Sequence, residues 1–157
     1  MKTRWKQTLL VRYFGITKIP LIFFVKPQVL QLNQSQCMIK IPLRRRTRNH
    51  LMSMYFGVLA VGADLAGGLL AMQMLARSDH KINLVFKDMH ADFLKRVDAD
   101  AIFTCTDGEK IGSLIQKVID TGERHHEPIN ILVTAPDKYG DEILATFTLT
   151  LSLKVKD

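Results

Sequence analysis

Gly57-Val58-Leu59-Ala60-Val61-Gly62-Ala63-Asp64-Leu65-Ala66-Gly67-Gly68-Leu69-Leu70-Ala71-Met72-Gln73-Met74-Leu75-Ala76 holds only two polar side chains, Asp64 and Gln73. At 1.5 Å per residue the run makes roughly 30 Å of helix, apolar all round. Two settings suit such a helix: a bilayer, or a sheet wrapped around it. A carboxylate near the middle, glycines without strict GxxxG spacing, and a long strand-rich remainder that needs a cover favour the sheet. The expected fold is therefore α+β, an antiparallel sheet around one long central apolar helix, with no transmembrane segment.

The flanking sequence supplies the strands. Gln28 to Leu32 and Cys37 to Leu43 form a hairpin across the polar turn Asn33 to Gln36. Asn83 to Lys87, Ala99 to Thr106 and Ile129 to Ala135 read as further strands. Ile143 to Val155 is the clearest, because Phe147, Leu149, Leu151 and Leu153 alternate with Thr148, Thr150, Ser152 and Lys154. A second, surface helix runs from Asp107 to Thr121 on Ile111, Leu114, Ile115 and Val118, with Thr106 and Glu109 as a capping box and Gly122 as the C-cap. Thr8 to Gly15 makes a short N-terminal helix, and Ile19 to Val25 an apolar run too short to span a bilayer. Residues 1–24 are read as a helical extension and 25–157 as the main domain, a length that buries a core without metals or disulfides.

The formal net charge is +7, and the positive charge gathers at Lys2, Arg4, Lys6 and Arg12 and in the run Arg44, Arg45, Arg46 and Arg48. No zinc-finger spacing, RNA-binding aromatic signature or recognition helix accompanies it, so a nucleic-acid partner is not expected. Cys37 and Cys105 read as free, buried thiols. With a basic N-terminus that lacks an apolar signal core, they point to a cytoplasmic location.

Candidate chemistry centres on Asp64. Gly57, Ala60, Asp64, Gly67, Gly68 and Ala71 recur at helical spacing as one stripe of small residues. A carboxylate in an apolar helix costs several kcal/mol unless it is paired or faces a wet cleft, and desolvation raises its pKa. His125, His126 and Glu127 fall in a loop without ligand-spaced partners, and no metal site is expected. Asp98, Asp100 and Asp107 lack the glycine-bearing loop of a calcium site and read as exposed strand charges.

Asn49-His50-Leu51-Met52-Ser53-Met54-Tyr55-Phe56-Gly57, continued to Asp64, resembles the active-site motif of hotdog-fold acyl-CoA thioesterases of the phenylacetate-pathway type. There an Asn precedes by six residues a His-Gly-Gly that opens the central helix, and a carboxylate follows seven residues after the second Gly. Asn49, Gly57 and Asp64 match those positions, while Tyr55 and Phe56 replace His and the first Gly. Asn49-His50, Asp92-Phe93-Leu94 and Thr148-Leu149-Thr150-Leu151-Ser152 are similar to an uncharacterised bacterial branch of that superfamily.

The resemblance implies a hotdog fold and hydrolysis of an acyl-CoA or acyl-carrier thioester. Amides at the helix start, at Phe56 and Gly57, would hold the oxyanion. Asp64 would activate water or attack the carbonyl, and Asn49 would help hold water or the carbonyl. Coenzyme A enters as part of the substrate, with Arg44, Arg46 and Arg48 just upstream of the motif and Tyr55 at its edge as its binding residues; no separate cofactor is expected. Gly57 and Asp64 lie roughly 10 Å apart along the helix, and the resemblance implies a homodimer or dimer of dimers whose sites draw on both subunits. A non-catalytic hotdog protein that binds or senses an acyl group is the alternative.

Overall fold

The computed structural model describes residues 2–156; Met1, Asp157 and the side chains of Lys2 and Thr3 lie outside the described residues. Helix α1 (Lys2–Thr17) and the short α2 (Pro20–Val25) precede strands β1 (Gln28–Leu32) and β2 (Cys37–Ile41). Helix α3 (Phe56–Leu75), β3 (Ile82–Phe93) and β4 (Ala101–Cys105) follow. Then come α4 (Gly108–Thr121), β5 (His125–Thr134), a single turn α5 (Pro136–Tyr139) and β6 (Ile143–Val155). The strands form one six-stranded antiparallel sheet in the order β1-β2-β4-β5-β6-β3.

α3 lies against the inner face of that sheet. By length and composition it could cross a membrane, yet Val58, Leu59, Ala63, Ala66, Leu70 and Ala71 are buried in the core. The approach is set by two glycines. A Cβ at Gly62 would enter the ring of Phe103, and one at Gly67 would stand 2.7 Å from Ile129 Cδ1. The small-residue stripe therefore divides: Gly67 seats the helix on Ile129 and Leu149 near the middle of the sheet, whereas Asp64 and Gly68 are turned toward Phe86 at the β3 edge. From the sheet, Phe103, Ile129, Ile131, Phe147, Leu149 and Leu151 meet the helix as fully buried side chains.

Several expectations change. α1 is twice the length expected from Thr8 to Gly15, and the apolar run that follows becomes α2, begun by Pro20 at its first turn where a fixed φ and a missing N–H suit a helix start. β3 runs well past Lys87: a bulge between Phe86 and Asp88 shifts the register, so that Ile82, Leu84 and Phe86 before it and Met89, Ala91 and Phe93 after it share the sheet's inner face, where the edge position leaves Met89 and Phe93 exposed. The capping box at α4 does not form: Asp107 is the N-cap, and its Oδ2 instead accepts the Asn130 N–H at 2.7 Å. Gly122 does close α4 in the left-handed conformation.

His125, His126 and Glu127 belong to β5, opposite Leu153, Ser152 and Leu151, because the turn after Gly122 is only a few residues long. Asp98 and Asp100 precede β4 and Asp107 follows it, each with its own partner. Asp98 takes Lys138 Nζ at 2.6 Å and Tyr139 Oη at 2.8 Å, Asp100 takes Lys40 at 3.0 Å, and Asp107 takes the Asn130 amide.

The sheet's two edges differ. Beside β1, α1 takes the place of a further strand: Thr8 Oγ1 accepts the Val29 N–H at 2.9 Å, Gln7 Nε2 donates to Leu32 O at 3.5 Å, and Arg12 Nε donates to Pro27 O at 3.2 Å. β3 at the other edge pairs with β6 alone, and Val85, Met89 and Phe93 are exposed there.

Candidate functional site

The segment before α3 is tightly tied. Thr47, fully buried, accepts the Arg44 N–H at 2.8 Å and donates to Pro42 O at 2.8 Å. Its carbonyl holds the Tyr55 N–H at 2.9 Å, Arg48 bridges to Met54, and Met54 N–H donates to Val97 O at 2.7 Å. Asn49 closes the turn between them, with Oδ1 accepting the amides of Leu51 at 2.9 Å and Ser53 at 3.2 Å. That oxygen is committed to the backbone.

This chain of bonds aims the start of α3. Tyr55 is the N-cap in extended conformation and makes no side-chain cap, and the amides of Phe56 and Gly57 donate to no described residue. Uncapped amides carry the positive end of the helix dipole. The rings of Tyr55 and Phe56 pack against each other, centroids 4.7 Å apart, and both stand exposed. The Tyr55 ring lies over Gly57, where a Cβ would stand 2.6 Å from Tyr55 Cε1 and would push that exposed ring aside. Asn49, Tyr55 and Phe56 join Leu59, Phe93 and Arg96 around a cavity of about 360 Å³.

Asp64 occupies a different cavity, of about 240 Å³, with Phe14 and Ile22 from the N-terminal helices and Leu84, Val85 and Phe86 from the open edge. The half-buried carboxylate has no hydrogen-bond or ion-pair partner among the described residues, and burial raises its pKa above the usual carboxylate range. Within one chain the helix start and Asp64 do not meet; about two turns of α3 separate them.

The arginine run divides as well. Arg44 and Arg46 line a third cleft of about 960 Å³ together with Arg12, Lys26, Lys40 and Arg45, with Asp100 as its one acidic lining residue. Arg46 donates to Phe24 O at 3.3 Å and stacks over that ring at 5.3 Å. Arg48 lies outside this cleft, and Tyr55 sits in the cavity at the helix start. Arg12, Lys26 and Lys40 come from separate elements, and no local sequence pattern joins them to Arg44. Among the described residues no group of three or more His, Cys, Asp or Glu side chains is placed to hold a metal ion.

Solved structures share this architecture. A Pseudomonas aeruginosa protein of unknown function, called a probable thioesterase, superposes with a TM-score of 0.76 at 22% identity, over 95% of this chain and 96% of that one. A Chlorobaculum tepidum protein of unknown function reaches 0.82 at 11% identity, over 98% and 97%. A Haemophilus influenzae thioesterase gives 0.68 at 16% identity, over 93% and 88%. These likenesses establish the hotdog fold. No curated protein matches the sequence. The family described as a domain of unknown function, DUF4442, matches residues 7–153, from the second turn of α1 to near the end of β6, and the chain belongs to that family.

Proposed function

We propose that this protein hydrolyses an acyl thioester of coenzyme A or of an acyl carrier, in sites built from two copies of the chain. The observation that carries the reading is Asp64: an unpartnered carboxylate, desolvated in an apolar cavity at the open edge of the sheet. Such a group is a better base at neutral pH than an ordinary aspartate. The naming of structural neighbours as thioesterases supports the same chemistry.

In the proposed reaction the free amides of Phe56 and Gly57 face the thioester carbonyl, with Asp64 of the other copy beside it. Asp64 takes a proton from water as the oxygen bonds to the carbonyl carbon, and the resulting oxyanion accepts the amide hydrogen bonds. The carbon–sulfur bond then breaks as the carbonyl reforms, and the departing thiolate takes the proton back from Asp64, giving a carboxylic acid, a free thiol and the regenerated carboxylate. Arg44 and Arg46, in the basic cleft, suit the phosphates of coenzyme A. The open β3 edge, with Val85, Met89 and Phe93 exposed, favours pairing of two copies there. Buried free cysteines fit a cytoplasmic setting.

Thiol release from a panel of acyl-CoA esters tests the reading, with wild type active and Asp64→Asn inactive. A second reading, acyl binding without turnover, is favoured by the rings of Tyr55 and Phe56 crowding the helix start. It takes over when wild type binds an acyl-CoA but releases no thiol from any ester.

A further inference from the structure

Residues 1–63 contain eleven Lys and Arg and no Asp or Glu; all fifteen acidic residues come later. The first part of that segment folds as α1 and α2, packed so closely that a Cβ at Gly15 would lie 2.6 Å from the Phe23 backbone. α1 has two apolar faces. Val11 and Phe14 pack on the body of the protein. On the other side Trp5, Leu9, Tyr13 and Ile16, spaced by four, four and three residues, share one exposed face. Leu10 is 68% exposed, and on α2 Leu21 is 53% exposed with Phe23 and Phe24 also open. Apart from Phe24, on which Arg46 stacks, none of these side chains belongs to the buried core, and apolar exposure on this scale marks a docking surface.

Arg4, Lys6, Lys18 and Lys26, all exposed, lie on or beside the same two helices, and Arg46 stacks on Phe24. We propose that the α1–α2 hairpin docks on the surface of an anionic lipid bilayer, with its apolar side chains at the headgroup boundary and its cations on the lipid phosphates. The charge selects this occupant. The same surface of a second copy would set cations against cations, whereas each Lys or Arg near an anionic bilayer strengthens binding by roughly fivefold. Trp5, Tyr13, Phe23 and Phe24 offer rings, but Leu9, Leu10, Ile16 and Leu21 lie among them, and a bilayer buries aliphatic and aromatic side chains alike whereas stacked bases cover only the rings. Trp and Tyr at the rim of an apolar, basic helix suit the interface between water and lipid. The inference does not depend on the thioester reading.

Trp5 is the single tryptophan of the chain and reports directly on the surface. The protein is titrated with vesicles of phosphatidylcholine, and with vesicles of phosphatidylcholine and phosphatidylglycerol, following Trp5 emission and co-sedimentation. The expected result is a blue shift and co-sedimentation with the anionic vesicles alone, weakened by added salt. Leu10→Ser with Leu21→Ser should bind roughly tenfold more weakly, circular dichroism confirming the fold. Lys6→Glu with Lys18→Glu should lose binding while keeping the apolar residues. No shift with anionic vesicles, or undiminished binding by both variants, overturns the proposal. A blue shift that grows with protein concentration without vesicles assigns the surface to a second copy instead. Tighter binding to a single-stranded oligonucleotide than to the vesicles assigns it to nucleic acid.

Discussion

Gly62 of the central helix lies directly beneath the ring of Phe103 in β4, with no room for a methyl group between them. Phe103 is fully buried and cannot swing aside. Gly62→Ala should therefore destabilise the protein by about 1–3 kcal/mol, the cost of overpacking a core, although alanine is the better helix former. Urea unfolding measures it, and an unchanged midpoint would show that helix and sheet can separate.

Asp64→Asn should lower thiol release by about 10² to 10⁴ and leave the protein folded. Because burial raises the folded-state pKa above the unfolded value, the folded state binds more protons between the two, and stability falls as pH rises through that window. At neutral pH the ionised group is a liability, so the Asn variant should melt at the same temperature or higher. Wild-type turnover should rise with pH through a pKa above the ordinary carboxylate range. Full activity in the variant would remove Asp64 from the mechanism.

Cys37 and Cys105 face each other as partners across β2 and β4, both fully buried. Burial pushes their pKa values up to about 12 and about 11. Neither should react with Ellman's reagent at neutral pH in the folded protein, and both should react after denaturation. Rapid reaction of the native protein would contradict the packing of this pair.

Replacing Arg44 and Arg46 together with Ala should weaken coenzyme A binding roughly tenfold to hundredfold, the loss expected for charge-assisted phosphate contacts. Calorimetry with free coenzyme A reads it. Unchanged affinity would leave the cleft without a phosphate.

Light scattering at micromolar concentration should give two or four times the 17.9 kDa of the chain. A monomer mass would remove the two-copy site, since one chain keeps Asp64 about two helical turns from the amides it needs.

The legible parts of the sequence are those whose pattern is local. α3 and β6 read correctly because one is apolar over its whole length and the other alternates without interruption. β3 escaped beyond Lys87 because the bulge after Phe86 reverses the alternation, so one strand looks like a short strand and a loop. The capping box failed because α4 starts one residue later than Thr106 requires, which makes Asp107 the N-cap, and a neighbouring strand claims the Asp107 carboxylate. For the site, Asp64 stood out as one charge in an apolar helix. Its covering by Phe14 and Ile22, and the gathering of Arg12, Lys26 and Lys40 around Arg44, arise from tertiary folding and leave no mark in sequence spacing.

The hydrogen bonds from Thr8, Gln7 and Arg12 to β1 give the sheet a valence of one. A sheet open at both ends can add copies without limit, as a fibril does, whereas one terminated at β1 leaves only β3 as an open edge, which the proposed pairing of two copies would use up. Thr8→Val would free the Val29 amide but leave Gln7, Arg12 and the buried Val11 holding α1 over that edge, so in the proposed assembly growth should still stop at a finite size, and only loss of the whole helix would lift that limit.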